Sequence, residues 1–355
     1  MNIEELRGKI SLIDSEIVKL LGMRMEIGLR TTKLKGEVTD TVREKAVLDG
    51  IRKRCTGALL KPEFCEKIFT EIIDETKSLQ AKKLRLAGFQ GEHGAYSEMA
   101  VRMFDSNAVA LPCREFADVF SAVERGQLDI GVVPVENSLE GSVTSVNDLL
   151  VETGLQIIGE VNVPVHHCLL ALPDTDYRDI KIVYSHPQAL GQCRGFISRN
   201  KLDPRPFYDT AGAAMMISND RPKAAAAIAS RLCAELYGLE VLKENIEDQE
   251  SNSTRFVVLS GEKSSGKGNK CSITFSTAHK AGALFEVLKV FSEAGINLTR
   301  IESRRIRGDI GKTAFLLDLQ GNDSEPAVAT AIAEVKKHTS MFKFLGCYSE
   351  AKKVG

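Results

Sequence analysis

The hydrophobic periodicity of this 355-residue chain changes abruptly at Lys82 and Lys83. Before this point apolar residues recur at steps of three and four, as at Ile10, Ile13 and Ile17, which is typical of amphipathic helices. After it, short β-type runs alternate with helical stretches, and this order predicts a parallel or mixed sheet covered by helices. One chain therefore combines an all-α segment with an α/β segment.

A second boundary lies in the string GEKSSGKGNK, which begins at Gly261 and contains no apolar anchor. Its Gly, Ser and Lys content is typical of a flexible linker. The residues after it show the order βαββαβ, which predicts a ferredoxin-like α+β unit. The sequence thus predicts a multidomain protein with segments over residues 1–83, 84–262 and 270–355.

The charge balance and the apolar content argue against several classes of function. The chain has 47 Lys and Arg against 48 Asp and Glu, so it lacks the basic excess of a nucleic-acid-binding domain. No apolar run reaches the roughly 18–20 residues that span a bilayer, and the first residues lack the apolar core of a signal peptide. The eight cysteines include no CxxC pair, which favours a reducing compartment. We therefore expect a cytoplasmic protein without a nucleic-acid or membrane partner.

Polar strings interrupt three apolar runs of the α/β segment. They read PVENSLEGSV, SHPQAL and SNSTRF and begin at Pro134, Ser185 and Ser251. Because α/β folds bind ligands at strand ends, we expect these hydroxyl and amide groups to converge on one small-molecule site. Without metal-ligand spacing, they favour recognition of an oxygen-rich organic anion. The adjacent His166 and His167 would point to opposite faces of a strand, so we predict a structural role for them and no metal site.

Basic residues are spread through the helical segment. Arg24 and Lys35 are eleven residues apart, which places them within about 20° of one helix face and roughly 16 Å apart along the axis. Arg7 lies about 100° off that face and would more easily serve the pocket of a second chain. Thr76 and Gln80, at i and i+4, can face one pocket. Spacing alone favours a solvated face for the cations.

The helical segment nevertheless resembles the all-helical chorismate mutases across its whole length, through LRGKISLIDSEIVKLLGMRMEIG, KLKG, DTVRE and EIIDETKSLQ. The resemblance implies chorismate as substrate. It implies that the two carboxylates and the ether oxygen are held by Arg7 of the partner chain, Arg24, Lys35 and Arg43. It also implies that Glu44 meets the hydroxyl and Gln80 the ether oxygen, with Asp40 and Thr76 as supporting positions. A Claisen rearrangement needs only a folded conformer and stabilisation of developing charge, so cations and an amide suffice.

The α/β segment resembles the prephenate dehydratases through GAYSE, PVENS, SHPQA, YGLEVL and NSTRF. The resemblance implies two α/β lobes around a cleft, similar to type 2 periplasmic binding proteins, and prephenate as substrate. It implies that Thr254 is essential and helps the ring hydroxyl to depart, and Arg255 is a candidate anchor for a substrate carboxylate. The other implied substrate-binding positions are Asn137, Ser138, Ser185, Gln188, Asn252 and Phe256.

The string KAGALFEVLKVFSEAGINLTRIESR resembles the ACT regulatory domain attached to these dehydratases. This implies that L-phenylalanine binds between paired ACT domains and inhibits the enzyme by biasing two quaternary states. The implied effector positions are Gly282, Ala283, Leu284, Asn297, Glu302 and Ser303. The family pattern continues ESRP, and Arg305 stands in place of that proline, which leaves the strength of inhibition open.

Together the resemblances imply a bifunctional chorismate mutase and prephenate dehydratase that needs no metal or redox cofactor. They imply a homodimer or homotetramer. Two alternatives remain open: an arogenate dehydratase, and a non-catalytic amino-acid sensor built on a pair of binding-protein lobes. The intact NSTRF string and the complete set of helical cations count against the sensor.

Overall fold

The computed structural model of the protein describes residues 2–34, 39–55, 59–263, 268–306 and 312–351. Up to residue 81 the described residues form helices, with the bounds α1 (Ile3–Thr32), α2 (Thr41–Arg54) and α3 (Pro62–Ala81). Pro62 occupies the first turn of α3, where a backbone N–H would have no partner within the helix. Within the described part of the chain, no helix has the length and apolar character needed to cross a membrane.

The α/β segment forms two lobes. Lobe 1 is built first from β1 (Leu86–Gln90), α4 (Tyr96–Phe104), β2 (Val109–Cys113), α5 (Phe116–Glu124), β3 (Ile130–Asn137), β4 (Gly141–Ser142), α6 (Thr144–Glu152) and β5 (Gln156–Pro164). Lobe 2 contains β6 (Cys168–Ala171), β7 (Ile182–Ser185), α7 (Pro187–Gln192), α8 (Arg194–Arg199), β8 (Asp203–Pro206), α9 (Thr210–Asp220), β9 (Ala225–Ala229), α10 (Arg231–Tyr237) and β10 (Glu240–Lys243). The chain then returns to lobe 1 as β11 (Ser253–Ser260).

The returning strand β11 lies between β3 and β5 and runs antiparallel to both, in the sheet order β2-β1-β3-β11-β5, with β4 beside β3. Its FVVL run is fully buried, as expected for a strand covered on both faces. Thr254, near its start, lies beside Asn137 at the end of β3. The lobe 2 sheet has the order β10-β6-β9-β7-β8. Residues 165–167 and 244–252 are the two crossings that connect the lobes. A cleft between the lobes lies beside both of them.

The C-terminal segment follows the predicted βαββαβ order. Its elements are β12 (Lys270–Ser276), α11 (Ala283–Glu293), β13 (Leu298–Arg305), β14 (Thr313–Gln320), α12 (Pro326–Lys337) and β15 (Met341–Tyr348). The antiparallel sheet has the order β13-β14-β12-β15, and β13 is therefore an edge strand. The predicted fold class, with a helical part, a two-lobed α/β part and a ferredoxin-like α+β part, is confirmed.

Helix α1 is tied to lobe 1 by ionic contacts. Lys33 Nζ lies 2.6 Å from Asp129 Oδ1, and Glu26 Oε1 lies 2.8 Å from His93 Nε2. The other ring nitrogen of His93 lies 3.2 Å from Glu98 Oε2. Hydrogen bonds to Glu26 and Glu98 raise the pKa of His93 to about 9. The imidazole is therefore protonated at neutral pH and bridges α1 to lobe 1.

Helix α1 also carries a stripe of exposed apolar side chains. They recur at steps of three and four residues along the helix: Ile3, Leu6, Ile10, Ile13, Ile17, Leu20, Met23 and Ile27. Each of them is at least 41% exposed. This spacing is typical of the seam between packed helices, and a patch of this kind marks an interaction surface.

Candidate active sites

A cavity of about 410 Å³ lies between the two lobes. Its wall takes one or more residues from each of the three polar strings, and Thr254, Asn137 and Gln188 all line it. The buried Phe256 forms part of its apolar surface. The remaining polar side chains of the wall are Gln90, Tyr96, Ser97, His167, His186, Gln192, Tyr208, Asp209 and Thr210. The structure therefore brings together groups that are far apart in the sequence.

The Thr254 hydroxyl is held by Asn137. The Nδ2 atom of Asn137 donates to Thr254 Oγ1 at 3.0 Å and to Asn252 Oδ1 at 2.8 Å. The amide orientation is fixed, because its Oδ1 accepts from the backbone N–H groups of Leu139 and Glu140, each at 3.0 Å. Among the described residues the Thr254 hydroxyl meets no acceptor for its own proton. That proton is available to a group bound in the cavity.

Three predicted substrate contacts lie outside the cavity wall. Ser185 is fully buried and donates to the carbonyl of Ile228 at 2.6 Å. Ser138 accepts from the backbone N–H of Ser253 at 3.0 Å. Asn252 is buried and accepts from the Asn137 amide. In this structure these three residues fix the turns around the cavity, and their direct contact with a substrate stays a prediction.

Arg255 points away from the cavity. Successive residues of a strand face opposite sides, and Thr254 and Phe256 on either side of it both line the cavity. The guanidinium lies 2.7 Å from Glu160 and 2.7 Å from Asp318, in a cluster between lobe 1 and the C-terminal sheet. Arg255 therefore does not reach the cavity, and this geometry gives no support to its predicted role as an anchor for a substrate carboxylate.

The wall contains a histidine that the sequence analysis did not select. His167 Nε2 lies 2.8 Å from Gln192 Oε1, and its Nδ1 lies 3.2 Å from the Tyr96 hydroxyl. Burial lowers the pKa of His167, so the imidazole is neutral. With Nε2 donating to Gln192, Nδ1 serves as an acceptor. The neighbouring His166 points elsewhere, to Glu247 at 2.7 Å. The predicted divergence of the two histidines holds, but one of them faces the cavity.

Asp209 was also missed. It caps α9 by accepting from the backbone N–H of Gly212 at 2.8 Å, and burial raises the pKa of its carboxyl. The available signal was an Asp directly before a helical run, the usual mark of a helix N-cap. Among the described residues that line the cavity, none is Lys or Arg. The N–H groups of Tyr96 and Ser97 at the start of α4 meet no acceptor among the described residues, so an anion bound there would depend on them and on hydroxyls and amides.

A second polar site lies between α1 and α3. Arg24 NH1 donates to Thr76 Oγ1 at 2.8 Å, and Gln80 Nε2 donates to the carbonyl of Gly28 at 2.6 Å. Gly28 permits this close approach, because a Cβ there would lie 2.6 Å from a Thr76 methyl group. Burial lowers the pKa of Arg24. Three of the residues predicted for the helical site are thus neighbours.

The other predicted residues of the helical segment are more dispersed. Asp40 caps α2 through the backbone N–H of Arg43, whose side chain is exposed. Glu44 lies 3.2 Å from Lys77, a residue that the sequence analysis did not select. Arg7 is exposed on α1, about 26 Å along the helix axis from Arg24. Lys35 lies outside the described residues.

Another cavity, of about 370 Å³, lies in the C-terminal segment at the start of α11. Ala283 and Leu284 line it together with Lys280 and Phe315. Gly282 caps the helix with φ +80°, a conformation that favours glycine. The other predicted effector positions do not line this cavity. Asn297, just before β13, donates a hydrogen bond from Nδ2 to Gln320 Oε1 at 3.0 Å, while Glu302 and Ser303 lie on β13 itself.

Three family models match consecutive parts of the chain. The model described as chorismate mutase type II matches residues 6–81, and the prephenate dehydratase model matches residues 87–264. The ACT domain model matches residues 272–337.

Individual relatives agree with this division. A bifunctional chorismate mutase/prephenate dehydratase of Aquifex aeolicus is 34% identical over 360 residues, which cover 98% of each chain. A bifunctional N-acyl-homoserine lactone acylase/prephenate dehydratase of Komagataeibacter europaeus is 38% identical over 268 residues, covering 74% of this chain and 95% of the relative. The crystal structure of the prephenate dehydratase of Arthrobacter aurescens in complex with L-Phe is 33% identical, with a TM-score of 0.69. That match covers 76% of this chain and 91% of the other.

Proposed function

This chain belongs to the family of bifunctional chorismate mutase/prephenate dehydratases, and from that premise we propose that it converts chorismate to prephenate and prephenate to phenylpyruvate. The observation that carries the second step is the Thr254 hydroxyl, which lines the cavity between the lobes with its proton unengaged. We propose segments 1–83, 84–262 and 270–355 as the mutase, dehydratase and regulatory units.

The dehydratase step needs help mainly with its leaving group. As the ring C–O bond breaks, the electron pair of the C–CO₂⁻ bond enters the ring, CO₂ leaves, and the departing hydroxide takes up a proton to become water. Aromatisation provides the driving force. A threonine hydroxyl is a poor acid, so Thr254 contributes a hydrogen bond to the leaving oxygen, and the bond it accepts from Asn137 makes it a better donor.

Substrate binding in this cavity would rely on neutral donors. We assign the substrate carboxylates to the N–H groups of Tyr96 and Ser97 at the start of α4 and to the Gln188 amide, since all three residues line the cavity. His167, which burial keeps neutral, adds a polar side chain to the cavity wall without adding a charge. Such a wall would bind the prephenate dianion through hydrogen bonds and without ion pairs. Thr254 is then the residue that donates to the oxygen of the departing ring hydroxyl.

The role of Asn137 can be tested by Asn137→Asp. A carboxylate there would still accept from the backbone N–H groups of Leu139 and Glu140, but it would also accept the Thr254 proton. We expect dehydratase kcat to fall about 10²–10³-fold, with mutase turnover unchanged. Asn107→Asp, the same change at an exposed position in the turn before β2, is the control and should retain wild-type activity. An Asn137→Asp enzyme with more than half of the wild-type kcat would contradict this role.

The mutase step is assigned to the helical segment. Arg24 and Gln80 lie on facing helices, as a site for a small dianion requires. We propose these two residues with Arg7 of the partner chain, Lys35, Arg43 and Glu44 as substrate contacts, and Asp40 and Thr76 as supports. Stabilisation of the charge that develops on the breaking C–O bond is then supplied by cations and one amide.

We propose a second copy of this chain as the occupant of the apolar stripe on α1. Each of its exposed side chains would contribute roughly 1.5–3 kcal/mol when buried. Packing there would also bring Arg7 of one chain toward Arg24 of the other. Within one chain the two residues cannot meet, because they lie about 26 Å apart along the same helix. The sedimentation measurement described next also shows whether two such dimers associate into a tetramer.

The variant Ile13→Glu tests this interface, because it places a charge in the middle of the stripe. We expect wild-type protein to sediment at about twice the chain mass of 38.9 kDa, or a multiple of that mass. Ile13→Glu should lower mutase turnover at least about 100-fold and leave dehydratase turnover nearly unchanged. A monomeric wild-type protein with full mutase activity would rule the interface out.

We propose L-phenylalanine as the effector of the regulatory segment. The cavity beside Gly282 supports this, since Lys280 can meet a carboxylate and Leu284 and Phe315 an apolar side chain. The Arthrobacter aurescens relative was crystallised with L-Phe. Calorimetry that detects no binding of phenylalanine to the full chain would refute the proposal.

The choice of prephenate over arogenate as substrate is tested by competition. With both substrates present, we expect the larger kcat/KM for prephenate, and formation of phenylpyruvate would exclude a non-catalytic sensor. A higher kcat/KM for arogenate would reassign the second step. The two substrates differ only in a keto or an amino group next to the side-chain carboxylate, so the enzyme must discriminate between them at that carbon.

A further inference from the structure

The strand that carries Thr254 also carries a contact to the regulatory segment. Arg255 faces the opposite side of β11, where its Nε donates to Glu160 Oε2 at 2.7 Å. One terminal nitrogen donates to Asp318 Oδ2 at 2.7 Å and the other to the Tyr348 hydroxyl at 3.1 Å. Glu160 belongs to β5 of lobe 1, whereas Asp318 and Tyr348 belong to β14 and β15. One guanidinium therefore joins the strand of Thr254 to two strands of the regulatory sheet.

This ionic cluster is nearly closed to water. The side chain of Arg255 is 12% exposed, and those of Glu160 and Asp318 are 1% and 2% exposed. Lys270 Nζ lies 3.1 Å from Glu160, and the Ser272 hydroxyl donates to Asp318 at 2.6 Å. Burial favours the neutral forms, yet the charge of Arg255 lowers the pKa of Asp318. The Arg255–Asp318 pair is therefore ionised in the folded protein.

A buried pair of this kind resists separation. The planar guanidinium holds two carboxylates in a fixed geometry, and moving one carboxylate away would leave an uncompensated charge in the interior. A displacement of Asp318 relative to lobe 1 would therefore pull on Arg255, which Glu160 holds from the lobe 1 side. The β3–β11 ladder shifts register between Arg255 and Phe256, and such a bulge interrupts the ladder locally. On the other side, residues 253–258 stay in register with β5, so Thr254 would shift together with Arg255 and this stretch of β5.

Beside the contacts on β5 and β11, two other contacts of the regulatory segment end on α6 or the turn after it. Arg304 Nε donates to Asp148 Oδ1 of α6 at 2.7 Å. Lys343 Nζ donates to the carbonyls of Val151 and Thr153 at 2.8 and 2.6 Å. These contacts attach the regulatory sheet to α6 and the turn after it, so they provide a matched comparison for the contact on β11.

We propose that Arg255 is a positioning residue that couples the position of the regulatory segment to the Thr254 hydroxyl. When the effector moves the regulatory sheet, the Asp318–Arg255 pair moves the start of β11, and Thr254 changes its position in the cavity. The inference rests on the proposed function for the reaction and the effector. The coupling itself rests on the contacts of Arg255.

The test compares Asp318→Asn with Asp148→Asn in the full chain. Each substitution removes one carboxylate charge from a contact between the regulatory segment and lobe 1, but only the first contact ends on β11. We expect Asp318→Asn to lower dehydratase kcat about five- to ten-fold, with KM and mutase turnover within about two-fold of wild type. Inhibition by L-phenylalanine should weaken by a similar factor, while calorimetry still detects binding. Asp148→Asn should match wild type.

Arg255→Lys is the second variant, because lysine keeps the charge but cannot hold both carboxylates. It should reproduce the loss of kcat and of inhibition even where Asp318→Asn folds poorly. Wild-type kcat and inhibition in both variants, or an equal loss in Asp148→Asn, would overturn the coupling. Absence of phenylalanine binding to the wild type would instead refute the proposed effector. The kcat contrast between Asp318→Asn and Asp148→Asn would still decide whether Arg255 positions Thr254.

Discussion

Replacing Thr254 by valine is expected to abolish nearly all dehydratase turnover and to leave the mutase intact. Valine has the same shape and the same preference for strands, so the change removes only the hydroxyl. The Asn137 amide keeps its hydrogen bond to Asn252. Without a donor to the leaving oxygen, kcat should fall about 10³-fold, which corresponds to about 4 kcal/mol of transition-state stabilisation.

Steady-state rates with prephenate and with chorismate measure the effect of Thr254→Val on each step. Thr254→Ser keeps the hydroxyl and should retain activity within about ten-fold of wild type. Because the hydroxyl acts on the leaving group, KM should change little. A Thr254→Val enzyme with dehydratase kcat near wild type would remove Thr254 from the mechanism.

The converse result is expected for Arg24→Met. Methionine keeps an apolar stem of similar length but removes the charge and the hydrogen bond to Thr76. A substrate carboxylate and the developing negative charge would lose a cation in a partly buried site, so mutase kcat/KM should fall about 10³-fold. Dehydratase turnover with prephenate should remain within about two-fold, because the cavity between the lobes is a separate site.

Lys19→Met is the matched control for Arg24→Met. Lys19 lies on the same helix, and its ion pair with Glu16 at 4.0 Å is exposed to solvent. Its loss should leave both activities unchanged. Equal mutase activity in the Arg24 and Lys19 variants would return Arg24 to the solvated face that spacing alone favours.

The architecture was predictable from the sequence because hydrophobic periodicity is a local property. The change at Lys82 and Lys83 separates helices from the alternating α/β segment, and the structure places the end of α3 at Ala81 and the start of β1 at Leu86. The βαββαβ order of the last segment was readable for the same reason. Hydrophobic periodicity does not predict which face of a strand is covered by another domain.

Arg255 illustrates that limit. Strand alternation already implied that Arg255 and Thr254 face opposite sides, so a substrate role for both was inconsistent with a single cavity. Its partner Asp318 is 63 residues away and in another segment, where no local pattern could indicate it. His167 and Asp209 were missed for a similar reason, since they reach the cavity from lobe 2 and its crossing. Arg7 and Arg24 lie far apart along α1 in one chain, which agrees with the proposal that the mutase site forms between two chains.

The most direct test of the whole account is to add chorismate to the purified protein and follow three compounds in time against a blank without enzyme. We predict that chorismate disappears, prephenate appears, and phenylpyruvate accumulates with its absorbance in alkali. Thr254→Val should stop at prephenate, and Arg24→Met should convert added prephenate but little chorismate. Wild-type protein that leaves chorismate unchanged, or accumulates prephenate without phenylpyruvate, would contradict two active sites in one chain.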